Sequence, residues 1–363
     1  MDPISQATLG AIAARVAAPK TLIGPVLLLG AVAGAMPDID VIFSAPDDFF
    51  RMVRTHRGIT HSLFFAFTAG PILGWLLARF RARNEGGPPD TRGWMMAITA
   101  AVLSHPLLDV LTPYGTQLLQ PFSDARLAIH AMPIIDPLYT GVLLIGCIWA
   151  ARSRRPQSIA MGALLISSAY LALGWQLGVQ AREIGRADLA AAGVQVDRIE
   201  AFPTILQPWQ RQVVARSGDQ DRVGLMSMWA PCAPVWTTTQ SASGPEVDAL
   251  LQSDEGRVFD WFAMGWVHYT RTAEGADTRV HASDLRYVLS GDASDSVFSM
   301  SARLHVDADG LSRVVGVGTA GQRGADPSRL VLAMANVFTP TCRSAQLAGR
   351  EDSGRLDALH GEG

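Results

Sequence analysis

The chain has 363 residues, of which 48% are hydrophobic and 17% are charged. Charged residues make up about a quarter of ordinary soluble proteins, so this composition is unusually apolar. A net charge of -3 gives no reason to expect nucleic-acid binding, which needs a clustered basic face. The long apolar runs end near Arg182, which predicts a membrane part followed by a domain large enough to bury its own core.

Five apolar segments are candidate membrane spans. A helix needs about 20 apolar residues to cross a bilayer, and four segments come close: His61 to Phe80, Gly93 to Leu111, Pro137 to Ala151 and Ser158 to Val179. A fifth, weaker segment from Thr21 to Met36 favours a retained span over a signal peptide, because Asp2 stands where a signal peptide carries basic residues. The sequence therefore predicts a mainly α-helical transmembrane bundle of about five spans over residues 1–180.

Basic residues predict the orientation of this bundle. Two loops between predicted spans are rich in arginine: Arg79, Arg81, Arg83 and Arg92 in one, and Arg152, Arg154 and Arg155 in the other. Lys and Arg beside spans stay preferentially in the cytoplasm, so both loops are expected there. The loops 37–60 and 112–136 and the chain after about residue 180 are then extracytoplasmic. Three arginines in the first outer loop oppose this orientation: Arg51, Arg54 and Arg57.

Two short motifs place metal-ligand side chains in the first outer loop. The motif PDID holds Asp38 and Asp40, and alone it is typical of a turn with a helix-capping aspartate. The motif HRGITHS holds His56 and His61 on either side of Gly58. Glycine allows the backbone to fold so that both imidazoles face one ion, although two unrelated surface histidines are the alternative.

A third group lies in and after the third predicted span. His105 and Asp109 are four residues apart, so they share one face of a helix. Ionisable residues within a span cost at least about 2.5 kcal/mol each and mark function by default. Asp136, just before Pro137, is either another ligand or a helix N-cap. His130 is either a loop histidine or a residue that binds the metal or supports one of its ligands.

These residues together predict a metal site. The predicted ligands are Asp38, Asp40, His56, His61, His105, Asp109 and Asp136. Mixed nitrogen and oxygen donors favour zinc, with manganese or iron as alternatives, over calcium, and their number allows one or two divalent ions. A metal-activated water is the expected nucleophile, with Asp38 or Asp136 as the catalytic general base.

The blocks PDID, HRGITHS and HPLLDVLTPYG, in this order and each beside a predicted span, resemble the YdjM-type family of membrane-bound, predicted metal-dependent hydrolases. The resemblance covers residues 30–145, and IIDPLYT at 134–140 extends it. FPTILQPWQRQVV at 202–214 also looks like the longer members. The resemblance implies a bacterial inner-membrane location and a helical metal site distantly similar to zinc-dependent phospholipase C and the S1-type nucleases.

The C-terminal part is predicted to be an extracytoplasmic α+β or mainly β domain over residues 181–345, with a disordered tail over 346–363. Its β-type runs are Gln212 to Ala215, Trp261 to Tyr269, Arg279 to Val288 and Ser312 to Val317, and a helix is expected at Glu246 to Gln252. Cys232 and Cys342 would pair only in an oxidising compartment.

These expectations combine into a membrane-bound metal-dependent hydrolase that acts on a phosphodiester or lipid-linked substrate at the extracytoplasmic face. The alternative is a non-catalytic membrane protein with a structural metal site, or a metal carrier. A carrier should place its ligands near the bilayer midplane, whereas these ligands gather at one end. A structural site would lack an open coordination position.

Overall fold

A computed structural model describes residues 1–22, 24–44, 48–86, 88–229, 231–289, 291–306 and 312–319. The chain forms two compact units, Met1–Trp175 and Gln176–Gly363. The first unit is helical, and the second contains two antiparallel sheets. The boundary between them falls inside one long helix, Pro156–Ala191.

The helices of the first unit are α1 (Pro3–Ala17), α2 (Val26–Ala35), α3 (Asp40–Phe43), α4 (Phe49–Thr55), α5 (Leu63–Glu85), α6 (Thr91–Val110), α7 (Pro137–Arg152) and α8 (Pro156–Ala191). Two short 3-10 turns lie at Met36–Ile39 and Ile59–His61. Several helices begin where a side-chain oxygen accepts a backbone N–H of the first turn, which satisfies an otherwise unpaired donor. The capping residues are Asp2, Asp48, Ser62, Asp90 and Asp136.

Three helices in the described part of the chain are long and apolar enough to cross a membrane, namely α5, α6 and α8. Helix α7 is shorter, with 16 residues. The expected count of about five spans is not supported. The segment from Thr21 to Met36 is helical only over the 10 residues of α2, which extend about 15 Å, whereas the hydrocarbon core is about 30 Å thick.

Helix α1, which the predicted elements do not include, packs closely against α2 through glycine. A Cβ atom added to Gly10 would lie 2.5 Å from the Cα atom of Gly34, and one added to Gly30 would lie 2.4 Å from the Cβ atom of Ala14. Small residues let helix backbones approach this closely. The contact fixes the end of α2, from which the PDID motif continues.

Helix α6 occupies the interior of this unit. Of its most apolar stretch 61% is buried, compared with 22% for α5 and for α8. Ala97, Ala101 and Val102 of α6 belong to a buried cluster that also contains Ala14 of α1 and Val26 of α2. Residues on the packed face of α6 are therefore shielded from lipid.

The strands of the second unit are β1 (Arg198–Pro203), β2 (Gln210–Ser217), β3 (Gln220–Ser227), β4 (Val235–Gln240), β5 (Val267–Glu274), β6 (Asp277–Asp284), β7 (Ser299–Val306) and β8 (Ser312–Thr319). Each group of four pairs in chain order as an antiparallel meander. Helices α9 (Pro245–Gln252) and α10 (Asp254–Phe262) connect the two sheets. Phe202 and Trp266, one from each half of this unit, meet edge to face at 5.8 Å within one buried cluster.

The predicted run from Trp261 to Tyr269 is wrong in its first half, because α10 continues to Phe262 and the strand begins at Val267. Ser253 caps α10 and acidic residues occupy its first turn, a combination that favours a helix start. The run from Arg279 to Val288 lies on β6 and the turn Leu285–Tyr287. The predicted tail at 346–363 lies outside the described residues. Cys342 lies outside them as well, and its conditional pairing with Cys232 stays a prediction.

The glycine contact generates a prediction about packing. Gly10→Ala should lower the free energy of unfolding by about 1–3 kcal/mol, the usual cost of overpacking a tight contact, because the new methyl group meets the Gly34 backbone. Thermal unfolding of the detergent-solubilised chain measures this effect. Gly162→Ala in α8 is the matched control, since nothing lies within 4 Å of the added Cβ atom. Equal stability of the two variants would contradict the proposed packing.

A buried charge network joins the two sheets of the second unit. Arg216 Nε donates to Asp221 Oδ1 at 2.7 Å, and His268 Nδ1 lies 2.9 Å from Asp221 Oδ2. Asp221 and His268 are fully buried. Burial by itself raises the pKa of Asp221, but the bonds from His268 and Arg216 outweigh it and hold that pKa below its ordinary value.

Asp221→Asn should therefore destabilise the second unit by about 3–5 kcal/mol, because it removes one partner of a buried ion pair. A carboxylate with a depressed pKa contributes stability that is present at neutral pH and is lost as the pH falls through its folded-state pKa. The difference in unfolding free energy between wild type and variant should thus shrink below about pH 4. A constant difference from pH 7 to pH 3 in denaturant titrations would contradict this origin of the stability.

Candidate metal centre

The structure brings together six of the seven predicted ligands. Asp38 lies in the turn after α2, Asp40 begins α3, His56 ends α4 and His61 lies in the turn before α5. His105 and Asp109 face the same point from α6. Two overlapping groups of ligand atoms result, one from Asp38, His61 and His105, and one from Asp38, Asp40 and His56.

The first group extends to Asp109 and forms the buried part of the site. His61 Nε2 lies 3.3 Å from Asp38 Oδ1 and 3.4 Å from Asp109 Oδ2. His105 Nε2 lies 3.4 Å and 3.5 Å from the same two oxygens. His61, His105 and Asp109 are fully buried. Their three facing atoms, the two Nε2 atoms and Oδ2, have no hydrogen-bond partner.

These spacings fit a shared ion better than hydrogen bonds. Good N–H···O bonds are about 2.7–3.2 Å long, and buried polar atoms without partners cost about 1–3 kcal/mol each. Atoms that bind one ion at about 2.0–2.2 Å lie roughly 3–3.5 Å from their neighbours around it. Nitrogen and carboxylate oxygen together are the donors that zinc accepts. The side chains present therefore fit a divalent cation held by Asp38, His61, His105 and Asp109.

The histidine rings are oriented by bonds on their other nitrogen. His105 Nδ1 donates to the carbonyl oxygen of Gly34 at 2.6 Å, since that oxygen can only accept. His61 Nδ1 lies 3.2 Å from Asp40 Oδ2 and 3.0 Å from Thr60 Oγ1. Such bonds hold the proton on Nδ1 and leave the Nε2 lone pair for a metal. Gly34 and Asp40 thus position the two ligands.

The Asp109 carboxylate is held by its other oxygen. Oδ1 accepts from the amino group of Met1 at 2.7 Å and from Gln6 Nε2 at 3.0 Å, and it lies 3.2 Å from Arg57 Nη2. Arg57 is buried and also donates to Thr112 Oγ1. These contacts keep Oδ2 turned towards the histidines. Arg57, which opposed the predicted orientation, therefore belongs to the site.

The second group is less free to bind an ion. His56 Nδ1 lies 2.9 Å from Asp40 Oδ1, while Asp40 Oδ2 accepts from the Arg57 backbone N–H and from Thr60 Oγ1, each at 3.0 Å. Burial alone would raise the pKa of Asp40, but hydrogen bonds from His56 and His61 hold it well below the ordinary range. Asp40 is therefore ionised, but both of its oxygens are already used.

The site is open on one side. Asp38 is 23% exposed and His56 is 20% exposed, whereas the other three ligands of the first group are fully buried. Solvent therefore reaches the site from the side of Asp38 and His56.

The structure does not place Asp136 with the other predicted ligands. Its Oδ1 atom caps α7 by accepting from the backbone N–H groups of Leu138 and Tyr139. Its Oδ2 atom accepts from the Tyr170 hydroxyl at 2.8 Å. The N-cap alternative therefore describes Asp136, and its expected roles as metal ligand and general base need correction. Among the described residues, His130 also falls outside both ligand groups.

Several residues of the site were not among the predicted ligands. Arg57 and Thr60 lie inside the HRGITHS block, so the motif itself indicated them. Gly34 and Gln6 gave no such indication, because their role depends on how α1 and α2 pack beside α6.

Comparison with known proteins agrees with the position of these motifs. The family model of the YdjM inner membrane protein matches residues 1–181. The chain is 32% identical to the inner membrane protein YbcI of Escherichia coli (strain K12) over 153 residues, which cover 35% of this chain and 84% of YbcI. It is 28% identical to the uncharacterized protein YfhP of Bacillus subtilis (strain 168) over 127 residues, or 34% of this chain and 37% of YfhP. No solved structure matches. The chain therefore belongs to the YdjM inner membrane protein family.

Proposed function

We propose that the protein is a membrane-bound metal-dependent hydrolase whose ion is held by Asp38, His61, His105 and Asp109. One observation carries the proposal: three buried ligand atoms without hydrogen-bond partners converge beside a carboxylate that solvent can reach. A divalent cation bound there, with zinc the best match to the donors, would act as a Lewis acid and lower the pKa of a water molecule.

His56 is the best placed proton acceptor of the site. Asp40 Oδ1 accepts the hydrogen bond from His56 Nδ1 at 2.9 Å, which favours the tautomer whose Nε2 atom can take a proton from water. His56 lies on the open side of the site, next to the ligand group that shares Asp38 with the buried one. The structure thus favours His56 over Asp38 and Asp136 as general base.

The position along α6 supports an extracytoplasmic site. Arg92 lies in the first turn of α6, and His105 follows 13 residues later, about 20 Å along the helix axis. The arginine-rich loops favour the cytoplasm, so the metal centre belongs at the opposite face. We infer that its substrate is a phosphodiester or lipid-linked compound presented there. We also infer that α7, although it has only 16 residues, crosses the membrane together with α5, α6 and α8, because an even number of spans is needed to return the C-terminal unit to the extracytoplasmic face.

A structural metal is the competing function, and the burial of His61, His105 and Asp109 favours it. The exposure of Asp38 and His56 favours catalysis, because a purely structural site is normally closed.

His61→Ala should abolish stoichiometric metal binding, since it removes one of four ligands. For a catalytic centre we expect the helical content and unfolding temperature in detergent to stay close to wild type. Elemental analysis and circular dichroism of the same preparation measure both. His305→Ala, an exposed histidine of the second unit, is the matched control. Loss of the fold together with the metal would favour the structural role.

His56→Gln should leave the metal content unchanged and lower the hydrolytic rate by about 10²–10⁴-fold, the usual contribution of a general base. The assay uses the metal-loaded full chain with an aryl phosphodiester, a phospholipid and a carboxylic ester. If the wild-type protein hydrolyses none of the three classes, the hydrolase proposal fails. If the variant keeps full activity, another group takes the proton.

A further inference from the structure

A second polar site lies at the other end of the helical unit. A cavity of about 440 Å³ is lined by Arg15 and Lys20, near the end of α1, and by Arg154, Arg155, Gln157 and Ser158, at the start of α8. Arg15 follows the start of α1 by 12 residues, about 18 Å along the helix, and the start of α1 is tied to Asp109 by Gln6. The cavity is therefore separate from the metal centre.

All the charged residues that line this cavity are cationic. It contains four cationic side chains and no carboxylate. Within the described ranges, no ion pair joins any of the four to an acidic residue. The mutual repulsion of these cations would be relieved by an anion.

Arg15 distinguishes the cavity from an ordinary basic loop. Only 7% of this residue is exposed, and its Nε atom has no hydrogen-bond partner. Its Nη2 atom donates to the carbonyl oxygens of Pro19 and Ala18, at 3.0 Å and 3.5 Å. Burying a guanidinium without a carboxylate is costly. The preference of Lys and Arg for cytoplasmic loops explains why basic residues gather there. It does not explain why one of them, Arg15, is buried.

Two hydrogen bonds from one side chain connect α1 and α8 at the wall of the cavity. Gln157 Nε2 donates to the carbonyl oxygens of Val16 and Ala18, at 3.0 Å and 3.1 Å, which ties the start of α8 to the end of α1. The first turn of α8 contributes the positive end of a helix of 36 residues. Arginine side chains and a helix N-terminus are together well suited to a phosphate group.

We propose that this cavity binds a phosphate group carried by an anionic phospholipid. The cavity lies at the ends of helices of a membrane unit, and basic pockets between membrane helices bind anionic headgroups. A zwitterionic headgroup would bring its own cation against the four basic side chains. Inorganic phosphate shares the recognised chemistry and is the alternative source of the ligand.

The test uses the full chain purified in detergent and titrated with phosphatidylglycerol, phosphatidylcholine or inorganic phosphate. Retained ligand is counted by native mass spectrometry, and affinity is measured by thermal shift. Phosphatidylglycerol should bind more tightly than phosphatidylcholine. Arg155→Gln should weaken its binding about fivefold, the effect of removing one basic residue near an anionic headgroup. The matched control is Arg152→Gln, which removes an exposed arginine at the end of α7 that does not line the cavity.

The comparison of the ligands and of the two variants distinguishes a lipid site from a phosphate site and from nonspecific binding. Binding of phosphatidylglycerol that Arg155→Gln weakens and Arg152→Gln does not supports the lipid site. Binding of inorganic phosphate alone, with the same dependence on Arg155, keeps the phosphate site but overturns the lipid source. The proposal is overturned if the wild-type protein binds no phosphate-bearing probe, or if Arg152→Gln weakens binding as much as Arg155→Gln does. None of these results depends on hydrolase activity.

Discussion

The packing of the helical unit, Met1–Trp175, depends on the need to compensate one buried charge, the carboxylate of Asp109. A charge inside a membrane helix is costly unless it is paired, and the partners of Asp109 come from separate parts of the chain. Gln6 belongs to α1, Arg57 to the loop before α5, and Asp109 itself to α6. These segments have to meet for the charge to be tolerated, so assembly of the helices and assembly of the site are one event. The same contacts leave a single oxygen of Asp109 turned towards the two imidazoles.

Asp38 and Asp40 have different roles around the proposed ion, because the oxygens of Asp40 are already used in hydrogen bonds. Asp40 uses both oxygens to hold His56, His61 and the backbone of Arg57, so it orders the site although its residue type suits a ligand. Asp38 is left with an oxygen facing both buried imidazoles. Sequence cannot separate these two aspartates, which stand two positions apart in the PDID motif. The difference arises from the turn between α2 and α3. This turn directs Asp38 towards the imidazoles of His61 and His105, and Asp40 towards His56 and the backbone of Arg57.

Much of the site was predictable because its ligands fall in compact motifs beside apolar helices. The i, i+4 spacing of His105 and Asp109 gave their common face directly. The sequence could not show whether Asp136 is a metal ligand or a helix N-cap, because a carboxylate next to a helix suits both roles. Helix α1 was missed since it is rich in alanine and polar residues, and its burial depends on the glycine contact with α2. The strand expected from Trp261 was displaced by a helix start at Ser253, whose capping outweighed the β propensity of the aromatic residues.

The shortness of α2 has a chemical consequence at the metal centre. Gly34 lies in the last turn of this helix, where carbonyl oxygens have no partner within the helix, and Pro37, three residues later, has no N–H to offer. Its oxygen is thus available to the imidazole of His105. The carbonyl end of a helix carries partial negative charge, which makes the ring a stronger electron donor through its far nitrogen. A helix long enough to cross the bilayer would have used this oxygen for its own backbone.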